Sequence, residues 1–565
     1  MEKQLVIGVD FGSDSARAIV MDAQDGKKLG GADCAYPRWM RGAYCDSARA
    51  IFRQHPLDYL EAFERCVRGA LESAGADAAA HVKGIAVDTT GSTPAPVDKD
   101  GLPLAMREEF RDNPNAMFYM WKDHSANEEA ALVNEVLSNF ENEDYTRFQG
   151  RYSSEWWWAK ILHARRVAPD VCAQAVTWVE HSDWIPSLLT GRTSPARLFR
   201  NACGAGHKAL WHSDFGGLPS ARALETIDPY LARIANTYAA PQIAGSVVGT
   251  LTPEWARRLG LPESVVVGGG SFDAHAGAVG AGVKPKTLVK VVGTSTVDLL
   301  VEERDVLRGK DVQDVCGQAE NSIIPGYIGI ESGQAAFGDI FSWFRKVMMW
   351  PVRDFLSQLD GPDAAEKERL ADAYEKQAIA RLEEECARAP INMDITALDW
   401  LNGRRYPMVN EAARGMIGGL TLGATAPQLF AALAMSTVFG SRRILESMVA
   451  RGLQIDQIIT VGGVAKKAPY IMQMMADAIN RPIMVSRAEQ CCATGAAIYA
   501  AVAAGIYPDV LSASRAMCER IEKTYTPDLS RKAQYDLLYK KYLNLCRHGE
   551  TIQMELSALE QGAEA

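Results

Sequence analysis

The sequence predicts an α/β fold made of two related lobes. Segments with strand character alternate with segments of helical periodicity along the chain. A strand, a turn of small residues and a second strand occur near the start and again after the middle, so the second half repeats the organisation of the first. The 565 residues suffice for two large lobes, which we assign to residues 1–284 and 285–565.

The first lobe opens with two β-branched runs on either side of a small polar turn. This pattern predicts a strand, a tight turn and a second strand over 4–22. Apolar residues at helical spacing then predict a helix over 56–73, and a strand follows over 81–87. A further strand over 265–267 runs into three consecutive glycines near the boundary between the lobes.

The second lobe opens in the same way, with strands over 287–292 and 297–301 around the small-residue turn 293–296. A strand over 455–461 ends at a pair of glycines, and apolar periodicity predicts a helix over 468–480. These elements repeat the strand and helix alternation of the first lobe.

Three other stretches of the second lobe have distinct compositions. Residues 361–389 are dense in charge, which predicts a solvated helical insertion, and the tail beyond Thr526 is predicted to be helical. Residues 415–441 carry no charge and exceed the ~20 residues of a membrane-spanning helix. Glycines, threonines and a proline interrupt the first half of this window, and Thr425 has the features of a helix N-terminus. We therefore predict a turn and a buried helix, and no membrane partner.

Composition excludes several functional classes. Apolar residues make up 47% and charged residues 23% of the chain, which is typical of a globular protein and not of a disordered one. The net charge of −10 provides no basic field for a nucleic acid, so we predict no nucleic-acid partner. Eleven scattered cysteines without a C-x-x-C pair, and an N-terminal apolar stretch too short for a signal peptide, predict a reduced, cytoplasmic protein.

The strongest local signal for function is the turn 10–15, DFGSDS, between two predicted strands. Backbone N–H groups of a glycine and hydroxyl turn can hold phosphate oxygens, and a carboxylate at the strand end can hold a metal ion or its water. The turn 293–296, GTST, repeats this chemistry in the other lobe. The pair predicts a nucleotide polyphosphate bound from both sides, although a plain hairpin with turn-favouring residues explains each turn separately.

Three further patterns each leave two interpretations open. Asp273 follows a strand among small residues and can accept a proton from a substrate hydroxyl, or it caps the following helix; His275 is interpreted as a packing residue. Gly462 and Gly463 allow a flat ring to approach the backbone, or they form an ordinary turn between strand and helix. The tryptophans 156–158 are a sugar-stacking platform or, as we favour, part of a helix packed on the core.

Together these motifs resemble the FGGY family of carbohydrate kinases over almost the whole chain. The general family features are the segments 10–15, 121–123, 270–282, 293–295 and 462–463. Other blocks resemble the branch of the family that phosphorylates L-ribulose, namely 36–39, 90–96, 113–118, 152–156, 206–208, 398–405 and 490–493. One position departs from the family, because the acidic residue that sibling kinases carry is replaced around 439–441.

The resemblance implies a fold like that of actin and hexokinase, with two ribonuclease-H-like lobes around a cleft for sugar and ATP. It implies that the lobe 1–284 binds the sugar and carries the catalytic base, and that the lobe 285–565 binds ATP and ends in a helical tail. It implies that Asp273 is the general base and that Asp10 helps to hold the Mg²⁺ of Mg-ATP. The phosphate-binding residues it implies are Gly12, Ser13, Gly293, Thr294 and Ser295, with Gly462 and Gly463 at the adenosine. The implied ribulose contacts are Ala95, Lys208, Asp273 and Glu331.

The implied activity is ATP-dependent phosphorylation of L-ribulose to ribulose 5-phosphate in L-arabinose degradation, with D-ribulose as a further expected substrate. Two alternatives stay open: another pentulose or pentitol kinase of the family, and a catalytically idle actin-like protein that binds sugar or ATP. The expected partners are small molecules, and the sequence leaves a homodimer open.

Overall fold

Two seven-stranded sheets form the framework of the protein. The computed structural model describes residues 3–563 except 309, 311, 313–316 and 519. All strands of one sheet come from the chain before residue 273, and all strands of the other come from the chain after residue 286. The predicted α/β organisation in two sheet-containing lobes is therefore confirmed, whereas the division of function between 1–284 and 285–565 stays a prediction.

The first sheet contains seven strands in chain order: Leu5–Phe11, Ser15–Asp22, Lys28–Ala35, Val82–Thr89, Val247–Thr250, Val266–Gly268 and Ser271–Phe272. Leu5–Phe11 pairs antiparallel with Ser15–Asp22 and parallel with Val82–Thr89. Val266–Gly268 and Ser271–Phe272 extend the parallel part of the sheet beside Val82–Thr89. Several of these strands therefore end at the same edge of the sheet, where loops can bring polar residues together.

The second sheet repeats this topology. Its strands are Thr287–Val292, Thr296–Glu302, Gly317–Glu320, Ile328–Ser332, Gln457–Val461, Ile483–Ser486 and Ile521–Tyr525. Thr287–Val292 pairs antiparallel with the strand after it and parallel with Gln457–Val461, as the first strand does in the first sheet. The predicted repeat is thus present as a shared strand topology. Shorter strands lie outside both sheets, at Cys45–Asp46, Ile51–Gln54, Pro94–Val97, Phe118–Tyr119, Thr177–Glu180, Thr396–Ala397 and Ile417–Gly418.

Helices cover and connect the sheets. Those of the first half are Pro56–Ala74, Ala78–His81, Asn127–Leu137, Trp157–Val167, Pro169–Gln174, His181–Leu189, Ala202–His207, Ala221–Ile227, Pro229–Ala235, Pro253–Leu259 and Asp273–Gly280. Those of the second half are Arg304–Leu307, Gly338–Gln358, Ala364–Arg388, Ala426–Ala450, Gly463–Lys467, Pro469–Ile479, Cys491–Ala503, Val510–Met517 and Lys532–Ala563. The helices predicted over 56–73 and 468–480 and in the tail are all present.

Two helices join the lobes. Cys491–Ala503, from the second half of the chain, packs on the first sheet against Leu5–Phe11 and Val82–Thr89. Asp273–Gly280 packs against that helix and also contacts Thr287–Val292 of the second sheet. One apolar cluster accordingly contains residues of both sheets, such as Ile19 and Leu299. The core is therefore continuous across the lobe junction.

Glycines allow these two helices to approach each other closely. A Cβ atom on Gly495 would lie 1.8 Å from the carbonyl oxygen of Ala276, and one on Gly280 would lie 2.0 Å from that of Cys491. No side chain fits at such distances, because neither backbone can give way without moving its helix. Glycine at both positions thus sets the distance between the helices.

Some sequence predictions need correction or refinement. The insertion is helical and largely exposed, as predicted, but one face near the end of Ala364–Arg388 is buried, because Leu382, Glu383 and Cys386 pack against neighbouring helices. The second part of the uncharged window 415–441 belongs to the largely buried helix Ala426–Ala450, which begins with a capping box at Thr425. Within the described residues no helix is both long and apolar enough to cross a membrane. No disulfide joins any two of the ten described cysteines, and Cys316 lies outside the described residues.

We expect Gly495→Ala to destabilise the protein by about 1–3 kcal/mol or more, because the added Cβ overlaps the backbone of the facing helix. Gly423→Ala is the control, since a Cβ there would meet only the hydroxyl of Thr421, at 3.8 Å. Urea denaturation measures both. A Gly495→Ala protein as stable as the Gly423→Ala protein would contradict the packing described above.

Candidate functional site

Three carboxylates meet at the edge of the first sheet. Asp10 lies near the end of the first strand, directly opposite Asp88 on the neighbouring parallel strand. Ser271 and Phe272 pair with Asp88 and Thr89, which places Asp273 immediately beyond the same edge. The topology of the parallel strands therefore brings together Asp10, Asp88 and Asp273, although they are far apart in the sequence.

The electrostatics of this group are unusual because negative charge is concentrated where water is scarce. Burial and the neighbouring carboxylates of Asp10 and Asp273 raise the pKa of Asp88 well above its usual range. Burial also raises the pKa of Asp10, and the ion pair with Arg17, at 3.0 Å, opposes that shift. Cys492 joins the group, since its sulfur and one oxygen of each of Asp10 and Asp88 lie within 4.8 Å of one another.

Asp273 is the first residue of the helix Asp273–Gly280. One carboxylate oxygen accepts a hydrogen bond from the backbone N–H of Ala274 at 2.7 Å, so the residue does contact the first turn of its helix. Burial, together with the negative charge of Asp10, raises its pKa to about 7. A carboxyl group with that pKa is poised to accept a proton near neutral pH, which a plain helix cap does not require.

The two predicted phosphate turns have similar local geometry. The N–H of Gly12 donates to the carbonyl of Ser15 at 3.0 Å, and the N–H of Gly293 donates to that of Ser295 at 3.0 Å. In the first turn the indole N–H of Trp121 donates to the hydroxyl of Ser13 at 3.0 Å. Each lobe therefore presents one tight turn of small residues at the end of its first strand.

Further contacts connect the second phosphate turn to the glycine pair. The N–H of Gly338, at the start of a long helix, donates to the carbonyl of Gly293 at 3.0 Å. Gly462 has a φ of +104°, and a Cβ there would lie 2.5 Å from the carbonyl oxygen of Val292. Only glycine suits that position. Around Gly463 a Cβ would meet nothing within 4 Å, so this part of the turn borders open space.

A cation and a carboxylate meet across the lobe junction. The ammonium of Lys208, after a helix of the first half, lies 3.5 Å from Glu331 on a strand of the second sheet. The imidazole Nε2 of His275 lies 3.3 Å from the same carboxylate, and His207 approaches it to 4.0 Å. Burial would raise the pKa of Glu331, but nearby positive charge, chiefly that of Lys208, lowers it well below its usual range.

Burial disfavours the protonated form of the two histidines of this group. Burial lowers the pKa of His275 to about 4 and that of His207 well below its usual value. His207 bonds to Gln149 and Ser322, whereas neither ring nitrogen of His275 makes a hydrogen bond with a described residue. His275, interpreted from the sequence as a packing residue, is thus a buried neighbour of Glu331.

A cavity of about 710 Å³ opens between the lobes. Thr294 and Ser295 line it together with Lys208 and Glu331, so the second phosphate turn and the cross-lobe pair face one space. Its basic lining residues are Lys122, Arg151, Lys208, Arg404, Arg405 and Arg414. Asp10, Gly12, Ser13, Asp273, Gly462 and Gly463 are not in its lining.

The three tryptophans 156–158 lie in two different environments. Trp157 and Trp158 are buried in the core at the start of a helix, as favoured from the sequence. Trp156 instead lines the cavity, and the ammonium of Lys208 lies 5.0 Å from the centre of its ring. Sugar stacking thus has one available ring and not three.

Ala95 lies apart from the other predicted sugar residues. It belongs to the strand Pro94–Val97, pairs with Val179 and is fully buried. Its side chain packs in the core of the first lobe and does not line the cavity. A contact between Ala95 and ribulose therefore stays a prediction. Because the side chain is buried, the backbone of this strand or of its loop would have to make the contact.

A carboxylate from elsewhere in the chain lies beside the segment 439–441, where the sequence lacks the acidic residue expected from the family resemblance. A Cβ on Gly440 would lie 2.2 Å from an oxygen of Asp399, so the glycine leaves the space that this side chain fills. Asp399 accepts hydrogen bonds from Gln334 and Tyr542, both at 2.8 Å, and Ser441 donates to Gln334 at 2.6 Å. The result is a buried polar network close to the cleft.

Asp88, Arg17 and His207 were not predicted as site residues. Asp88 had a detectable signal, since it ends a strand and precedes a turn rich in hydroxyls and glycine. Arg17 and His207 had none, because their partners Asp10 and Glu331 become neighbours only through strand pairing and the junction of the lobes.

Comparison with known proteins gives a consistent picture. The model of the N-terminal domain of the FGGY family of carbohydrate kinases matches residues 5–280, and that of the C-terminal domain matches residues 288–504. A ribulokinase of Vibrio parahaemolyticus is 41% identical over 553 residues, which cover 97% of each chain. A ribulokinase of Halalkalibacterium halodurans is 34% identical, over 96% of this chain and 95% of the relative.

Solved structures share the fold. The xylulose kinase of Rhodospirillum rubrum aligns with a TM-score of 0.77 at 20% identity, covering 98% of this chain and 100% of that one. The glycerol kinase of Plasmodium falciparum, solved with ADP, aligns with a TM-score of 0.73 at 15% identity, covering 96% and 98%. The actin-like and hexokinase-like two-lobed fold expected from the sequence is thereby confirmed.

Proposed function

The chain belongs to the FGGY family of carbohydrate kinases, and we propose that it transfers the γ-phosphoryl group of ATP to L-ribulose. The full-length relatives named ribulokinase support this substrate. The structural observation that carries the proposal is that a phosphate turn and the Lys208–Glu331 pair line one cleft between the lobes. The product is ribulose 5-phosphate, which fits a role in L-arabinose degradation. We propose that residues 1–284 bind the sugar and that residues 285–565 bind ATP.

In this reaction the protein mainly aligns the substrate hydroxyl with the γ-phosphorus, because phosphoryl transfer has a loose transition state. Asp273 takes the proton of the terminal hydroxyl, and its pKa of about 7 suits a base that works near neutral pH. The backbone N–H groups of Ser13, Thr294 and Ser295 hold phosphate oxygens as charge shifts to the leaving ADP, while those of Gly12 and Gly293 close the two turns. Closure of the lobes excludes water, which would otherwise compete as the acceptor.

A divalent cation fits the carboxylates at the edge of the first sheet. Asp10 and Asp88 offer the oxygen ligands that Mg²⁺ prefers, and no described group donates a hydrogen bond to either oxygen of Asp88. The thiol of Cys492 beside them is too soft to add to a magnesium site. A Mg²⁺ held by Asp10, directly or through water, would neutralise phosphate charge. We assign Asp10 to this role.

We assign sugar recognition to Lys208 and Glu331, the pair that meets across the lobe junction. Lys208 is a hydrogen-bond donor and Glu331 an acceptor, so together they can satisfy adjacent hydroxyl groups of a ketopentose. Gly462 and Gly463 border the adenosine in this proposal, next to the second phosphate turn. The lack of a disulfide among the described cysteines and the need for ATP favour a cytoplasmic enzyme.

An ADP-release assay with L-ribulose, D-ribulose, L-xylulose, D-xylulose and ribitol tests the function directly. We expect the highest kcat/KM with L-ribulose, followed by D-ribulose. A preference for a xylulose or for ribitol would support the alternative of another pentulose or pentitol kinase. Absence of ADP release with every sugar would support the idle ATP-binding alternative.

We expect Asp273→Asn to lower kcat by roughly 10²–10⁴-fold with little change in ATP affinity, because the amide keeps the shape of the side chain but cannot accept the proton. Steady-state kinetics with L-ribulose measure this. Asp10→Asn is the comparison, since it weakens the handling of Mg-ATP and is partly relieved by added Mg²⁺. If Asp273 only caps its helix, Asp273→Asn keeps both activity and Tm, because asparagine caps equally well.

We also expect Lys208→Ala and Glu331→Ala to raise the KM for L-ribulose far more than that for ATP. Each substitution leaves a polar group of the sugar or of the partner residue unpaired, at a cost of roughly 1–3 kcal/mol, or about 5- to 150-fold. Lys376→Ala, at an exposed lysine, is the control. A larger effect on ATP than on ribulose would refute the assignment.

Finally, we expect the lobes to close on both substrates together. The two phosphate turns belong to different lobes and Asp273 lies at their junction, so ATP and sugar bound together engage both lobes. Small-angle scattering should give a smaller radius of gyration with L-ribulose and a non-hydrolysable ATP analogue than without ligands. An unchanged radius would argue against closure.

A further inference from the structure

Two histidines and a carboxylate form a compact group at the lobe junction. His207 ends the helix Ala202–His207, His275 lies in the first turn of Asp273–Gly280, and Glu331 belongs to the strand Ile328–Ser332. One ligand atom from each residue lies within 4.8 Å of the other two. The proposed phosphoryl transfer uses only Glu331, so it leaves the two imidazoles without a function.

His275 is the least satisfied member of this group. It is 2% exposed, and neither of its ring nitrogens makes a hydrogen bond with a described residue. A buried polar side chain without a partner is unfavourable, and a bound ion or water usually accounts for it. Its Nε2 lies 3.3 Å from Oε2 of Glu331, so an ion that bridges these two atoms would satisfy the imidazole.

The distances within the group suit a small cation. Zinc binds nitrogen and oxygen atoms at about 2.0–2.1 Å, which places the ligand atoms of a tetrahedral site about 3.3 Å apart. The pair formed by His275 and Glu331 has that separation, and Nδ1 of His207 lies 4.0 Å from the same oxygen of Glu331. A shift of His207 by about 0.7 Å would therefore complete a set of three protein ligands, which leaves a fourth position for water.

The surroundings of Glu331 allow an ion to enter. Lys208 approaches Oε1 of the carboxylate at 3.5 Å, whereas both histidines face Oε2. The side chain of Glu331 is 27% exposed and lines the cleft, so an ion can reach Oε2 from the cleft. The carboxylate can thus contact Lys208 with one oxygen and a cation with the other.

His207 has the neighbours of a metal ligand. Its Nε2 lies 3.0 Å from the hydroxyl of Ser322, which can accept the ring proton and leave the lone pair of Nδ1 for a metal ion. Nδ1 would exchange its contact with the amide oxygen of Gln149, at 3.2 Å, for the bond to the ion.

The ligand types favour zinc over magnesium. Imidazole nitrogen suits zinc, whereas magnesium prefers oxygen atoms alone. Metal ions bind neutral imidazole and ionised carboxylate. Because burial lowers the pKa of both histidines and nearby positive charge lowers that of Glu331, the three groups already have the protonation states that a metal ion requires.

We propose that His207, His275 and Glu331 form a Zn²⁺ site, and that bound zinc inhibits the enzyme by occupying the carboxylate that the sugar needs. The inhibition rests on the proposed function, because it takes Glu331 as a residue that binds the sugar. Zinc and L-ribulose then compete for Glu331, whereas Mg-ATP binds elsewhere. The positive charge of Lys208 weakens the binding of a cation beside it, so removal of that charge strengthens zinc binding.

Isothermal titration of the full chain with Zn²⁺, and absorption spectroscopy with Co²⁺ in its place, test the site without sugar or nucleotide. Excess Mg²⁺ fills sites made of oxygen atoms alone. We expect His275→Gln and Glu331→Gln each to weaken zinc binding by about 100-fold or more, since loss of a residue that merely orients a ligand already costs about 10–100-fold. Lys208→Ala should bind zinc more tightly than wild type does.

Cys492→Ala is the matched control, because Cys492 belongs to the other described group of potential metal ligands, beside Asp10. This variant should bind zinc as wild type does. The cobalt spectrum of the wild type should show no charge-transfer band from a thiolate, and Cys492→Ala should leave the spectrum unchanged.

The site is overturned if His275→Gln binds zinc as tightly as wild type does, or if Lys208→Ala binds it more weakly. It is also overturned if cobalt gives a thiolate band that Cys492→Ala removes. Because Lys208→Ala is expected to gain affinity, the site can be confirmed or refuted even if His275→Gln does not fold.

ADP release at saturating Mg-ATP and fixed free Zn²⁺ measures the inhibition, with each protein compared to its own rate without zinc. We expect zinc to raise the KM of the wild type for L-ribulose without lowering kcat, and to have little effect on His275→Gln. Equal inhibition of both proteins, or inhibition relieved by ATP and not by L-ribulose, overturns the inhibitory role.

The zinc titrations contain no sugar, so they separate the metal site from the proposed function. A protein that binds zinc through His275 but phosphorylates no pentulose supports the metal site and refutes the function. Phosphorylation of L-ribulose by a protein that does not bind zinc does the reverse.

Discussion

The close contact between the helices Asp273–Gly280 and Cys491–Ala503 is the constraint on which the site depends. Gly280 and Gly495 let the two backbones approach within a distance that no side chain permits. One helix packs on the first sheet, and the other contacts both sheets, so this contact joins the lobes through a continuous apolar core. Asp273 is the first residue of one of these helices, and its position relative to both phosphate turns is therefore set by helix packing.

The carboxylates at the sheet edge illustrate how the fold tolerates a locally unfavourable arrangement. Asp10, Asp88 and Asp273 concentrate negative charge at low exposure, and only Arg17 among the described cations forms an ion pair with one of them. Such a cluster costs stability unless a cation or a proton compensates it. The raised pKa values of these groups follow from that cost, and they are the property that the proposed chemistry uses.

The proposed sugar site depends on both halves of the chain. Lys208 and His275 come from the first half, whereas Glu331 comes from a strand of the second sheet. A change in the angle between the lobes would alter the distance between Lys208 and Glu331 more than distances within either lobe. In the proposed function, the position of Glu331 therefore couples substrate recognition to lobe movement.

Much of the fold and part of the site could be predicted from the sequence. β-Branched runs and helical periodicity identified the main strands and helices, because these signals depend on neighbouring residues. Glycine-rich turns at strand ends marked the two phosphate loops and the pair 462–463 for the same reason. Asp273 was found because it follows a strand within a run of small residues, and Lys208 and Glu331 were assigned through family resemblance.

Only the tertiary structure decided which distant residues meet. Asp88 stands beside Asp10 through the register of parallel strands, and Asp399 fills the space over Gly440 through packing of separate segments. The burial of Glu383 depends on helices that surround a charge-rich insertion, whose composition alone indicated solvent. Sequence patterns report the local preferences of the chain, whereas pairing register, helix approach and the environment of a buried charge arise from contacts between segments that are remote in the sequence.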